Sequence, residues 1–259
     1  LTRKNPDGSV SCFVGSMDLP SRTHWRVEIR VPPDRAYFET RAFWYNPTPL
    51  HQSYYAWMNG AVRTGNDLQY IFPGKYHIAH NFAEPLRSWP VDSEGRDLSF
   101  YRNNDFGSYK SYFTVGEYAE FFGGYWHDSH FGFGHWARYD DMPGRKIWIW
   151  GLSRQGMIWE DLLTDNDGQY SEPQAGRYLN QNDHAFFAPH SGDRWREIWF
   201  PYKEIGPMVA ASPRAVLNAY PEEGHWVAAL YALQHIDEEL VAECGGHVIK
   251  KIPIHLSPM

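Results

Sequence analysis

The strongest constraint on this chain is the period of its apolar residues, which is two and not 3.6. Residues 23–31 read Thr-His-Trp-Arg-Val-Glu-Ile-Arg-Val, alternating until Pro32-Pro33 stops the run. Residues 36–45 alternate again and stop at Asn46-Pro47-Thr48-Pro49. Residues two apart share one face of a strand, so such runs predict half-buried β-strands. Short aromatic runs at 54–62 and 69–72 extend the pattern. So do a dense apolar strand at 146–151 behind a Pro143-Gly144 turn, and further strands at 185–189 and 196–201. The 22 Gly and 18 Pro fall at the short intervals that many short strands require. Helical signals are confined to one or two turns at 115–122 and at 213–218. The character changes from Glu222, where 226–233 and 239–254 read as strands of a separate sheet or appended module. The expected units are therefore 1–219 and 220–259, joined at 219–224. The first unit opens partway into a strand pattern without an initiator Met, so it is expected to lack an N-terminal part.

Composition narrows the partners. A chain of 259 residues with 42% hydrophobic and 21% charged residues buries a sizeable core and still fits one all-β domain. A net charge of -7 and a pI near 6.0 speak against a nucleic-acid partner, which needs clustered Lys and Arg. No apolar run approaches the roughly 18 residues of a membrane helix. Cys12 and Cys244 form neither a metal spacing nor a redox pair and read as buried free thiols. The aromatic content of 17% exceeds what a strand pattern asks for, so some rings are expected to face a ligand.

The segment 159–176 concentrates candidate chemistry. It carries five carboxylates (Glu160, Asp161, Asp165, Asp167 and Glu172) interleaved with Trp159, Tyr170 and Gln174. Rings cover the apolar faces of sugars, amides and acids bond hydroxyls, and an acid moves a proton. The bland alternative is a polar loop followed by an edge strand. On a strand Glu172 and Gln174 point the same way, and Pro173 between them predicts an edge or a bulge.

A catalytic Glu172 needs a second group. His77 and His80 share a face only in a helix and oppose each other on a strand. His127, His130 and His135 flank the Gly-rich stretch 131–134. His80 and His135 are the preferred candidates, although a histidine beside an aromatic ring is more often structural. Among carboxylates, Glu160, Asp161 or Asp97 is the partner for glycoside hydrolysis, which needs two of them. Burial against Trp159 or Trp199 would raise the pKa of Glu172, as an acid role requires. Asp165-Asn166-Asp167-Gly168 starts like a calcium loop, but position 12 is Gly176 and not Glu, so a structural turn is expected. No zinc spacing, phosphate loop or Gly-x-Ser-x-Gly elbow is present, and neither a metal nor a cofactor is expected.

Asn46-Pro47-Thr48-Pro49 followed by Tyr54-Tyr-Ala-Trp-Met-Asn59, and Glu172-Pro-Gln174 with residues 181–189, Ser191-Gly192 and the strand 196–200, resemble galactose mutarotases (aldose 1-epimerases). The 181–200 stretch corresponds there to a closing hairpin. Over residues 1–220, the motifs Trp57-Met-Asn-Gly-Ala-Val62, Phe72-Pro73, Trp89-Pro90, Pro143-Gly-Arg-Lys146, Leu163-Thr-Asp165 and Trp199-Phe-Pro201 resemble a mutarotase-like family of unknown function. That family often precedes tetratricopeptide repeats in large bacterial proteins. The resemblance implies an all-β, galactose-mutarotase-like β-supersandwich with few short helices; the compartment stays unknown, bacterial cytoplasm or cell envelope. It gives Glu172 the role of general base. It also puts Tyr55 where the family's acid histidine stands, and a phenol with a pKa near 10 shuttles protons poorly at neutral pH. The candidate catalytic set is Glu172, Asp161 and His80. The candidate carbohydrate contacts are Trp57, Asn59, Tyr55, Asp97, His135, Trp159, Glu160, Tyr170, Gln174 and Trp199. Three readings stay open: a glycan-processing enzyme of hydrolase or epimerase type, a carbohydrate-binding module without turnover, and a protein-interaction scaffold.

Overall fold

The computed structural model describes residues 1–80, 84–107, 109–150, 152, 154–165 and 167–258. Gly151 and Asn166 of the motifs above lie outside them. The strands in chain order are β1 (Thr2–Lys4), β2 (Val10–Met17), β3 (His24–Val31), β4 (Phe38–Tyr45), β5 (Gln52–Tyr54), β6 (Trp57–Asn59), β7 (Val62–Arg63), β8 (Leu68–Ile71), β9 (Tyr76–Ile78), β10 (Arg87–Ser88) and β11 (Tyr109–Val115). They continue with β12 (Phe121–Trp126), β13 (Phe131–Ala137), β14 (Gly144–Trp150), β15 (Tyr170–Gly176), β16 (Ala185–Phe187), β17 (Gly192–Lys203), β18 (Ala210–Ala211), β19 (Ala215–Glu222), β20 (His225–Ala232), β21 (Ile236–Cys244) and β22 (His247–Leu256). Among the described residues one α-helix, α1 (Arg154–Leu163), and one 3-10 turn at Tyr101–Asn103 interrupt them.

Two antiparallel sheets carry the architecture. The first runs β1-β2-β3-β4-β17-β13-β12-β8, and the second runs β10-β9-β11-β14-β15-β6 with β7 also on β15. Their inner faces meet over Leu68, Tyr70, Phe72 and Phe122 from the first sheet and Tyr112, Ile147, Ile149 and Ala175 from the second. Strand periodicity then fixes what the second sheet shows on its far side. Because Ile147 and Ile149 point inward, Lys146, Trp148 and Trp150 point outward. Because Ser171, Pro173 and Ala175 are buried beneath, Tyr170, Glu172 and Gln174 stand on the far face.

A third sheet, β18-β19-β20, packs Val216, Tyr231 and Leu233 against Ile198, Phe200 and Tyr202 of the first sheet. The boundary expected at 219–224 falls within β19 and its turn into β20. β21 and β22 form a separate two-stranded ribbon, while β20, expected with them, pairs with β19 of the preceding unit. Among the described residues no helix is long and apolar enough to cross a membrane.

Several local expectations change. The helical turns expected at 115–122 are the end of β11, a turn and the start of β12, with Gly116 at φ +87° breaking the chain. Those expected at 213–218 are strand β19, whose apolar side chains pair with β20. The first part of the polar loop expected before Glu172, residues 159–163, is the end of α1. Pro173 lies on an interior strand and not at an edge. The ladder beside it is broken between β6 and β7, and its carbonyl still accepts from Gly60 N at 2.9 Å. The stretch 181–200 is not a hairpin, because β16 pairs with β5 while β17 pairs with β4 and β13. Cys12 is half-buried and Cys244 exposed, so neither is a buried thiol.

Candidate functional site

Cross-strand register assembles one row on the far face of the second sheet. Trp148 lies opposite Glu172, and Lys146 opposite Gln174. Gln174 lies opposite Asn59, and Gly176 opposite Trp57. On the other flank Ser111 lies opposite Trp148, and Phe113 opposite Lys146. Two glycines open a slot for Trp57. A Cβ on Gly176 would sit 1.8 Å from the indole, and one on Gly144 would sit 2.9 Å from it.

That ring sets the carboxylate. The Trp57 indole N–H donates to Gln174 Oε1 at 2.6 Å, which turns the amide N–H of Gln174 toward Glu172 Oε2 at 2.8 Å. Asn59 Nδ2 donates to the same oxygen at 3.4 Å. Glu172 is half-buried, and burial pushes its carboxyl above the ordinary range. The Lys146 charge and the bonds from Gln174 and Tyr170 oppose that shift without cancelling it. Glu172 and Gln174 thus stand side by side, as their spacing predicts.

Rings flank the acid on both sides. Tyr55 stacks between Trp57 and Tyr178, with centroids at 6.4 and 6.5 Å. Across Glu172, Tyr109 stacks on Trp148 at 4.5 Å, and Trp150 follows, with Trp159 of α1 at 4.8 Å from it. His80 reaches this face 5.8 Å from Trp148, with Ser111 Oγ at 3.5 Å. Burial and the charge of Lys146 hold its imidazole below the ordinary value. His80, Tyr55 and Gln181 also line a cleft of about 800 Å³.

Lys146 is the residue that sequence reading missed. It is 1% exposed, and its ammonium lies 4.7 Å from the Trp148 ring and 5.1 Å from that of Phe113. It donates to Gln181 Oε1. Burial depresses its pKa to about 8 against the pull of Glu172. The available signal was its phase, since it shares strand parity with Trp148 and Trp150 and alternates with Ile147 and Ile149.

The remaining candidates sit elsewhere. His135 is buried between the sheets, bonded through Nε2 to Glu197 Oε2 at 2.8 Å and stacked on Phe122, so it serves packing and not the Glu172 face. Trp199, beside it on β17, reaches toward Gly60 and Pro173 from the inner side. Asp97 caps a turn by accepting from Ser99 N at 3.0 Å and Ser99 Oγ at 2.6 Å. Asp161 is exposed on α1, and Glu160 lies close enough to influence Tyr101 across the helix. Neither bonds to the Glu172 cluster, so only Trp159 of that helix joins the row. Asp165 and Gly168 adopt positive φ in a turn closed by Thr164 Oγ1 donating to Gly168 O at 2.8 Å. Among the described residues no three His, Cys, Asp or Glu side chains converge as metal ligands would.

Known proteins share this frame. Residues 1–202 match the family model described as Domain of unknown function (DUF5107). A TPR-domain containing protein from Parabacteroides distasonis superposes with a TM-score of 0.65 at 22% identity, over 79% of this chain and 34% of that one. A galactose mutarotase-like protein from Clostridium acetobutylicum gives 0.54 at 7% identity, over 79% and 65%. A galactose mutarotase related enzyme from Lactobacillus acidophilus gives 0.52 at 9% identity, over 78% and 71%. The fold is therefore the galactose-mutarotase-like β-supersandwich. The chain spans about a third of the repeat-containing neighbour it matches.

Proposed function

We propose, for a chain that belongs to the DUF5107 family, that the far face of the second sheet binds a pyranose sugar and that Glu172 moves a proton at its anomeric centre. The observation that carries this reading is a half-buried carboxylate held by the Trp57–Gln174 relay between two banks of stacked rings. Ring faces suit the apolar faces of a pyranose, and the flanking amides suit its hydroxyls. A carboxyl with a raised pKa suits proton transfer near neutral pH.

The charge that acts most on Glu172 is Lys146 and not a carboxylate. That favours hemiacetal chemistry of the epimerase type over hydrolysis by two carboxylates. The mutarotase-like neighbours support the sugar class through their fold, and the TPR-domain neighbour supports a setting beside helical repeats in a longer protein. The test is a panel of free aldoses, aryl glycosides and oligosaccharides. Anomer exchange is followed by NMR and sugar release by chromatography, for wild type and Glu172→Gln. Turnover lost in the variant with sugar binding retained supports the reading, and turnover equal in both refutes it. Binding without turnover in either protein would mark a binding module.

A further inference from the structure

We propose that Lys146 is the second catalytic group, a proton donor working opposite Glu172, and that Gln181 is a plug which the sugar displaces to reach it. This rests on the sugar reading above and adds to it a residue, a direction of proton flow and an occupant for the cleft.

A buried ammonium has three donors, and it is expensive to keep out of water unless they are satisfied. The bond that Lys146 makes is to the Gln181 amide oxygen. Otherwise it lies against the faces of Trp148 and Phe113. Glu172 influences its charge but makes no direct ion pair with it. A merely structural lysine would be paired with that carboxylate or would extend into water. The two groups stand instead on adjacent strands at diagonal register positions, Lys146 opposite Gln174 and Glu172 opposite Trp148.

Gln181 completes the geometry. It lies in the segment between β15 and β16, lines the cleft of about 800 Å³ with His80 and Tyr55, and its amide oxygen caps the Lys146 ammonium. The ionisable groups around Lys146 are Glu172 from β15, His80 beyond β9 and Tyr55, which also bonds Gln181. His80 is held toward its neutral form, and the Tyr55 phenol is raised by burial. At neutral pH Lys146 is thus the charged donor of the group.

The step balances. The Glu172 carboxylate takes the proton of the anomeric hydroxyl, and the O–H electron pair forms the C1=O bond. The bond from C1 to the ring oxygen breaks, its electrons pass to that oxygen, and the oxygen takes a proton from Lys146 Nζ. The open-chain aldehyde turns about C1–C2, and the reverse transfers close the other anomer. Both side chains return to their starting protonation states.

The experiment follows anomer exchange by NMR on freshly dissolved α-D-glucose and α-D-galactose with wild type, Lys146→Ala, Lys146→Arg and Glu172→Gln. Folding of each is checked by near-UV circular dichroism. The proposal expects Lys146→Ala to lose at least about 100-fold in rate, as removal of a general acid does. Ethylammonium should restore part of it, which it would not do for a structural residue. Lys146→Arg should stay slow, because a guanidinium holds its proton. The wild-type rate should fall on the alkaline side. A Lys146→Ala rate equal to wild type, or a fully active Lys146→Arg, overturns the donor role while leaving Glu172 standing. No acceleration by wild type on either sugar also overturns it. The Glu172 reading then stands or falls separately, on turnover of the wider panel by Glu172→Gln.

Discussion

Replacing Lys146 by methionine should stabilise the fold while removing its chemistry, and the size of the gain should depend on pH in a set way. The side chain is 1% exposed, and burial lowers its pKa from 10.5 to about 8. A folded-state pKa below the unfolded one means that the unfolded chain binds more protons between those two values. Stability therefore rises with pH across that window. Below pH 8 the buried charge costs about 2.5 pK units, on the order of 3 kcal/mol at roughly 1.4 kcal/mol per unit. By pH 10 the folded amine is neutral and the cost has fallen below about 1 kcal/mol. Methionine, of similar length and uncharged, carries no such term. Guanidinium denaturation of both proteins at pH 7 and pH 10 reads the difference, and the same comparison on a Glu172→Gln background removes the change that loss of the Lys146 charge makes in Glu172. The variant's advantage at pH 7 should exceed that at pH 10 by about 2–3 kcal/mol. An advantage that does not change with pH would refute the claim that Lys146 is buried as a charge. One that grows toward pH 10 would reverse its sign. Gain of stability with loss of turnover is the trade expected where a fold retains an unfavourable group for function.

Other perturbations separate the site from its supports. The raised folded pKa of Glu172 means that wild type loses stability as pH climbs through the range above 4.5, whereas Glu172→Gln does not. Thermal melts at pH 4 and pH 7 should show the variant gaining on wild type at the higher pH. Gly176→Ala forces a methyl into the Trp57 ring and should cost about 1–3 kcal/mol while weakening sugar binding. An unchanged denaturation midpoint would refute the slot. His135→Ala opens a cavity and strips Glu197 of a buried partner, so it should cost about 3 kcal/mol yet leave sugar affinity unchanged. A selective loss of affinity would return His135 to the site.

Legibility followed the range of the interactions involved. Alternation is local, so β3, β4, β14 and β17 could be read directly, and the i,i+2 rule placed Glu172 beside Gln174. Register is not local. Nothing near His135 says that Phe122 and Trp199 enclose it, and nothing near Trp199 says that its ring reaches Gly60. The 115–122 stretch misled because Gly116 turns the chain where apolar spacing alone allowed a helix. The 213–218 stretch misled because pairing with β20 outweighed its weak helical preference. Lys146 depends on a glutamine 35 residues away, so its burial could not be read from its own strand. Only its phase with the tryptophans hinted at it. Position 55 gave the opposite lesson. Its missing imidazole was plain in the sequence, but the cation beside the same acid needed the fold to be seen.

The most direct measurement is a crystal structure of Glu172→Gln soaked with a sugar that wild type turns over. A pyranose should lie on the far face of the second sheet, its ring against Trp57 or Trp148. Its anomeric oxygen should lie within hydrogen-bond reach of residue 172, with Gln181 displaced from Lys146. A sugar bound elsewhere, or one on this face with its anomeric centre turned away from residue 172, would contradict it.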